Sequence, residues 1–175
     1  VDLYPVVVRA RSGLTVLWSR YAELLDDDDE GLGDVYLRQL TPEGAPRSEA
    51  RRLPTRVRLA TLRASASPGD DAITLSGFGP SGELAVWRWV EDELRPNRLD
   101  TDDSGSPDSP GSLLSAEDGS ALIAFTVSPT DPEAPAAVFT ARIDEASGST
   151  ALPSLALLLG GRSAWYPPIL AHLPQ

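Results

Sequence analysis

The residues of this chain best placed to do chemistry stand close together between positions 100 and 108. Asp100, Asp102, Ser104 and Asp108 are interleaved with small or polar neighbours, and Gly105 follows the serine. Oxygen ligands at near-alternate positions, with a glycine to permit a tight turn, can converge on a hard cation such as calcium. A complete twelve-residue helix–loop–helix calcium loop ends on a glutamate, and Gly111 stands at that position, which excludes that form. Calcium at these four residues is the one cofactor expectation the chain supports. A solvated polar connection is the plainer reading of the same residues.

Other combinations lead less far. Asp26, Asp27, Asp28, Asp29 and Glu30 form an acidic run. Adjacent like charges repel, so such a run is ordinarily a solvated loop. Gly77, Gly79 and Gly82 match the spacing of a dinucleotide fingerprint. That fingerprint needs a helix behind the glycines, to aim its N-terminus at the pyrophosphate. Residues 83–90 read as a strand carrying Trp87 and Trp89, so the glycines are expected to make a hairpin turn. His172 is the sole imidazole and there is no cysteine, which leaves little for a zinc site or a serine–histidine–aspartate triad. No carboxylate pair is singled out by spacing as a glycosidase dyad. No catalytic residue is expected. Trp18, Trp87, Trp89 and Trp165 could stack on sugar rings, but inside strands their default role is core packing. Arg88, on the other strand face, is expected at the surface in a salt bridge.

Composition narrows the partners. In 175 residues the formal net charge is -11, and all 15 basic residues are arginine. A surface that acidic repels nucleic acid and anionic lipid. Arginine, alanine, glycine and proline in place of lysine fit a GC-rich coding bias, and also adaptation to salt. With no cysteine, disulfides and thiolate chemistry are excluded. Neither a basic-then-apolar leader nor an apolar run near twenty residues is visible, so no signal peptide or spanning helix is expected in this chain. The start at Val1 suggests a processed chain or an excised piece.

The elements that must position any site are short strands, because 16 prolines and 14 glycines break the chain often. Apolar, period-two runs cover residues 3–10, 14–19, 35–40, 57–64, 72–76, 83–90, 121–127 and 136–143. Weaker candidates cover residues 48–53, 94–99, 112–115 and 152–159. Second strands begin near residues 14, 72 and 121, and third strands near 35, 83 and 136. That is a repeat of roughly 50 to 58 residues, close to the blade length of four-stranded propeller repeats. Units of about 1–54, 55–111 and 112–162 follow, with an extra strand at 163–175. That last strand, Trp165-Tyr166-Pro167 and the apolar run behind it, parallels Leu3-Tyr4-Pro5 and its run.

In the first unit Trp18-Ser19 is followed by Asp34-Val35-Tyr36 and then by Leu40-Thr41-Pro42-Glu43-Gly44. This order resembles the repeats of bacterial exported β-propellers. The second unit keeps Gly82-Glu83-Leu84 and Trp87, and the third keeps the spacing. The acidic stretch from Asp100 is similar to the calcium loops of integrin-type propellers. The resemblance implies an all-β fold of antiparallel four-stranded blades, a partial propeller of about three blades plus one strand. A β-sandwich is the alternative, since seven or more short strands with frequent turns suit it as well. An exported or cell-surface setting goes with the same likeness.

Three units are fewer than the four to eight blades that usually close a ring. Closure is expected from another protein chain or from a second copy. The expected role is a non-enzymatic scaffold or protein-recognition module, one component of a larger assembly. The alternative is a carbohydrate-processing or carbohydrate-binding propeller with sites completed by another chain.

Overall fold

Short apolar runs between proline and glycine turns can bury their alternate side chains only by pairing into sheets. A computed structural model describes residues 2–21, 31–58, 60–97, 99, 106–128, 136–144 and 154–158. Among them the protein is all-β, with thirteen strands and no helix. The first sheet runs β1 (Asp2–Ala10), β2 (Gly13–Arg20), β3 (Leu32–Leu40) and β4 (Arg51–Arg58) in that order. The second runs β5 (Arg63–Ala66), β6 (Ile73–Phe78), β7 (Leu84–Val90) and β8 (Glu93–Asn97). The third runs β10 (Ser112–Ser115), β11 (Ala121–Ser128), β12 (Ala137–Ile143) and β13 (Ser154–Leu158), with β9 (Ser106–Pro107) added beside β11. Every pairing is antiparallel and joins consecutive strands, apart from β9. Each sheet is therefore built on a four-stranded meander, the third with β9 added, and there are three of them rather than the two of a sandwich.

The sheets stack in chain order through two cores. Leu17, Val35, Leu37, Leu53 and Val57 of the first sheet meet Ile73, Leu75 and Trp89 of the second. Leu84 and Val86, on the far side of β7, meet Ile123, Phe125, Val127 and Ile143 of the third. Burying each such side chain contributes on the order of 1.5–3 kcal/mol. Alternation along β7 feeds both cores at once: Trp87 and Trp89 turn to the first sheet, Leu84 and Val86 to the third. The leading strands adjoin, β1 with β5 and β5 with β10. The turns behind them join the same way. Ser12 donates its amide to Asp71 Oδ1 at 2.7 Å, and Ser67 donates its hydroxyl to the Ala116 carbonyl at 3.2 Å.

Two glycines are set by close approach. The ring of Tyr21 lies over Gly33, where a Cβ would sit 2.7 Å from Cζ. At Gly77 a Cβ would sit 2.9 Å from Val57 Cγ1, so this glycine lets the first two sheets meet closely.

Several strand limits differ from the sequence reading. The fourth strand lies at Arg51–Arg58, not at residues 48–53, because Ser48 is held beside β3: its carbonyl accepts from Arg38 Nε at 3.0 Å and its hydroxyl from the Gln39 amide at 3.1 Å. The expected strand at residues 57–64 is broken. Val57 and Arg58 end β4, and Thr61 turns the chain by donating its hydroxyl to the Arg58 carbonyl at 2.7 Å. Residues 154–158 are a strand paired to β12. The glycines at 79 and 82 make the expected hairpin, with Gly79 donating to the Glu83 carbonyl at 2.9 Å. The extra strand at 163–175 lies outside the described residues.

Candidate interaction face

The first sheet has two faces of opposite fate. Cross-strand register places Val7 opposite Val16, Leu14 opposite Leu40, Trp18 opposite Tyr36 and Arg38 opposite Val16. These residues share the face turned away from the second sheet. Val7 is 59% exposed, and Leu14, Val16, Trp18, Tyr36 and Leu40 are half-buried. On the other face Leu17, Val35 and Val57 are fully buried. Trp18 and Tyr36 stack with centroids 5.6 Å apart and planes inclined by 18°. Among the described residues, no strand of the chain covers this face.

Arginines border the apolar patch. Arg9, Arg20, Arg38, Arg52 and Arg56 lie on it, against the two carboxylates Asp2 and Asp34. Arg20 donates from Nε to Asp2 at 2.5 Å and rests 4.6 Å over the Tyr36 ring. That hydrogen bond holds the Asp2 carboxyl below its ordinary value and raises the guanidinium of Arg20. Arg52 reaches Asp34 at 2.9 Å, and Arg56 reaches it at 3.7 Å. These pairs stand in or close to solvent, so each is worth little in stability. Among the described residues, arginines thus outnumber carboxylates on this face.

A groove of about 700 Å³ runs beside this face, between β4 and the β6–β7 hairpin. It is lined by Arg52, Pro54, Arg56, Pro80, Glu83 and Trp87, among others. Its charged groups are already engaged within the chain. Glu83 accepts from Ser81 Oγ at 2.6 Å, and Arg56 donates to the Leu32 carbonyl at 3.0 Å. Glu83 is the one carboxylate in the lining, so the groove does not bring two carboxylates together.

The residues singled out by sequence end in different places. Asp100, Asp102 and Ser104 lie outside the described residues. Asp108 is exposed just after β9, and its amide donates to the Thr126 carbonyl at 2.9 Å. Among the described residues no group of three or more histidine, cysteine, aspartate or glutamate side chains could hold a metal. The acidic run at residues 26–30, Trp165 and His172 also lie outside the described residues. Trp89 is buried in the first core, and Trp87 packs against it as expected. Trp18 instead joins the uncovered face, because it follows Leu17 by one residue and a strand turns successive side chains to opposite sides. Arg88 is also placed differently: it is 5% exposed, and Nη1 donates to the Gly119 carbonyl of the third sheet. Charge alone suggested a surface position, but the alternation that buries Val86 buries Arg88 too. Neither Val7 nor Tyr36 is expected from sequence at a contact surface, and their residue types differ in no way from core strand residues.

No protein-family model and no curated protein sequence matches this chain. Among the described residues no helix is long and apolar enough to cross a membrane.

Proposed function

We propose that this protein is a non-enzymatic scaffold or protein-recognition module whose three meander sheets are blades of a partial β-propeller. In this reading the outer face of the first sheet is the surface that meets another protein chain. The observation that carries it is the contrast at Val7 and Trp18. A valine 59% exposed and a stacked Trp18–Tyr36 pair lie together on a sheet face whose reverse is a closed core. Contiguous apolar surface rimmed by charge marks contact sites between proteins. An exported or cell-surface setting goes with the likeness of the first unit to exported propeller repeats.

The test is the mass of the native particle, isolated without denaturation and measured by native mass spectrometry. The chain should appear in a complex heavier than its own 18.6 kDa. Val7→Asp, which adds a charge at an already exposed position, should release it. A native particle of one chain alone would overturn the reading.

A further inference from the structure

The recognition face leaves open what covers it, and the far end of the sheet stack supplies a candidate. On the outer side of the third sheet, register places Leu114 opposite Leu122, Leu122 opposite Arg142 and Val138 opposite Thr126. Leu114, Leu122 and Val138 are half-buried there. Asp118 and Asp144 hold Arg142 between them at 2.9 and 3.3 Å, and all three are exposed. Glu117 is exposed beside Asp118. Among the described residues this end carries half-buried apolar side chains beside the buried Ala124 and Thr126, and is acidic at its border. Among the described residues the first sheet is apolar at its centre and bordered by arginines that outnumber Asp2 and Asp34.

We infer that the partner of the first sheet is the third sheet of a second copy of this chain, stacked head to tail. This rests on the recognition reading above and names its partner. Three observations favour it. The two end faces are complementary in charge, whereas two first-sheet faces placed together would oppose arginine to arginine. Within one chain, each covered sheet face is covered by a sheet of the same kind. The outer edges of the first two sheets are closed to pairing: β4 carries Pro54 with Arg51, Arg52, Arg56 and Arg58, and β8 carries Pro96 with Arg95. Proline and charge at an edge prevent strand addition, which leaves the first sheet its face as the route to association. Two copies joined this way at both ends would make six sheets, within the usual range for a closed propeller.

Sedimentation of the purified chain over a range of concentrations tests the inference, with circular dichroism as a check that each variant is folded. The expected particle is two chains of 18.6 kDa. Val7→Asp should dissociate it. Arg9→Glu and Asp144→Arg should each weaken it by about tenfold, and the double variant should lose less than the two losses combined, because each change is then met by a compensating one on the opposite face. Salt at about 1 M should weaken the native dimer and leave its apolar part. A folded monomer at all concentrations overturns the inference, and so does a dimer indifferent to Val7→Asp and to both charge reversals. If the purified chain is monomeric but the native particle holds a different chain that Val7→Asp releases, self-association fails and the recognition reading stands.

Discussion

The two faces of the first sheet are made from the same strands by the same alternation, yet they serve opposite ends. Leu17, Val35 and Val57 are sealed against the second sheet. One residue along each strand, Trp18, Tyr36 and Arg56 face outward. The inner face is aliphatic at its centre, with Thr15 and Ser19 of β2 and Tyr21 just after it buried along the same side. The outer face mixes aromatic rings, short aliphatic chains and guanidinium groups, the composition of a contact that must also be soluble when uncovered. A closed core and a docking face can therefore be only one residue apart, and burial, not residue type, tells them apart.

The sharpest break of that contrast is Leu17→Ala. It opens a cavity between the first two sheets and should cost about 2–5 kcal/mol, read as a lowered denaturation midpoint. The same change at Leu14, on the half-buried outer face, should cost clearly less. Gly33→Val comes next. Its Cβ would enter the Tyr21 ring, so the ring must leave the strand, at about 1–3 kcal/mol in the same assay. Gly33→Ala should be the milder variant and keep the order.

A smaller effect follows from acid. Ser120 donates its hydroxyl at 2.6 Å and its amide at 3.0 Å to Asp118 Oδ1, and these bonds, with Arg142 adding less, hold the Asp118 carboxyl below its ordinary value. A carboxyl whose pKa falls on folding stabilises the fold above its unfolded pKa of about 4 and loses that contribution as pH drops through the folded value. Asp118→Asn should therefore lower the melting temperature somewhat near neutrality and flatten its fall between about pH 5 and pH 2, so that the two curves converge in acid. A parallel curve for the variant and the parent would remove Asp118 as a source. The smallest expected effect is that of Val7→Asp on the stability of the isolated chain, within about 0.5 kcal/mol, because the position is already open to solvent. A large loss there would mean that the outer face is structural, and the contrast between the faces would fail.

Much of the architecture is legible in the amino-acid order. Alternating runs separated by Pro-Glu-Gly, Pro-Gly-Asp and Glu-Asp-Gly turns are enough to place most strands of the three sheets, and the tryptophans at 87 and 89 are correctly assigned to one face of their strand. The limits of β4 and β5 are not legible. The chain from residue 48 to 64 holds period-two patterns at several registers, and the side-chain bonds of Ser48 and Thr61 choose among them. Arg88 is missed for a related reason. A guanidinium is ordinarily an exposed group, and its burial depends on the Gly119 carbonyl, 31 residues away, being there to accept it.

What the sequence by itself determined was local: all-β structure, antiparallel meanders, an acidic surface with arginine as its only cation, and the pairing of side chains into two sets along each strand. Those follow from backbone geometry and charge, which neighbouring residues suffice to specify. Which of the two sets in the first sheet is sealed and which is left open was decided only in three dimensions. The period of two is the same on both sides of a sheet, and only the sheet stacked against one of them distinguishes the core at Leu17 from the face at Trp18.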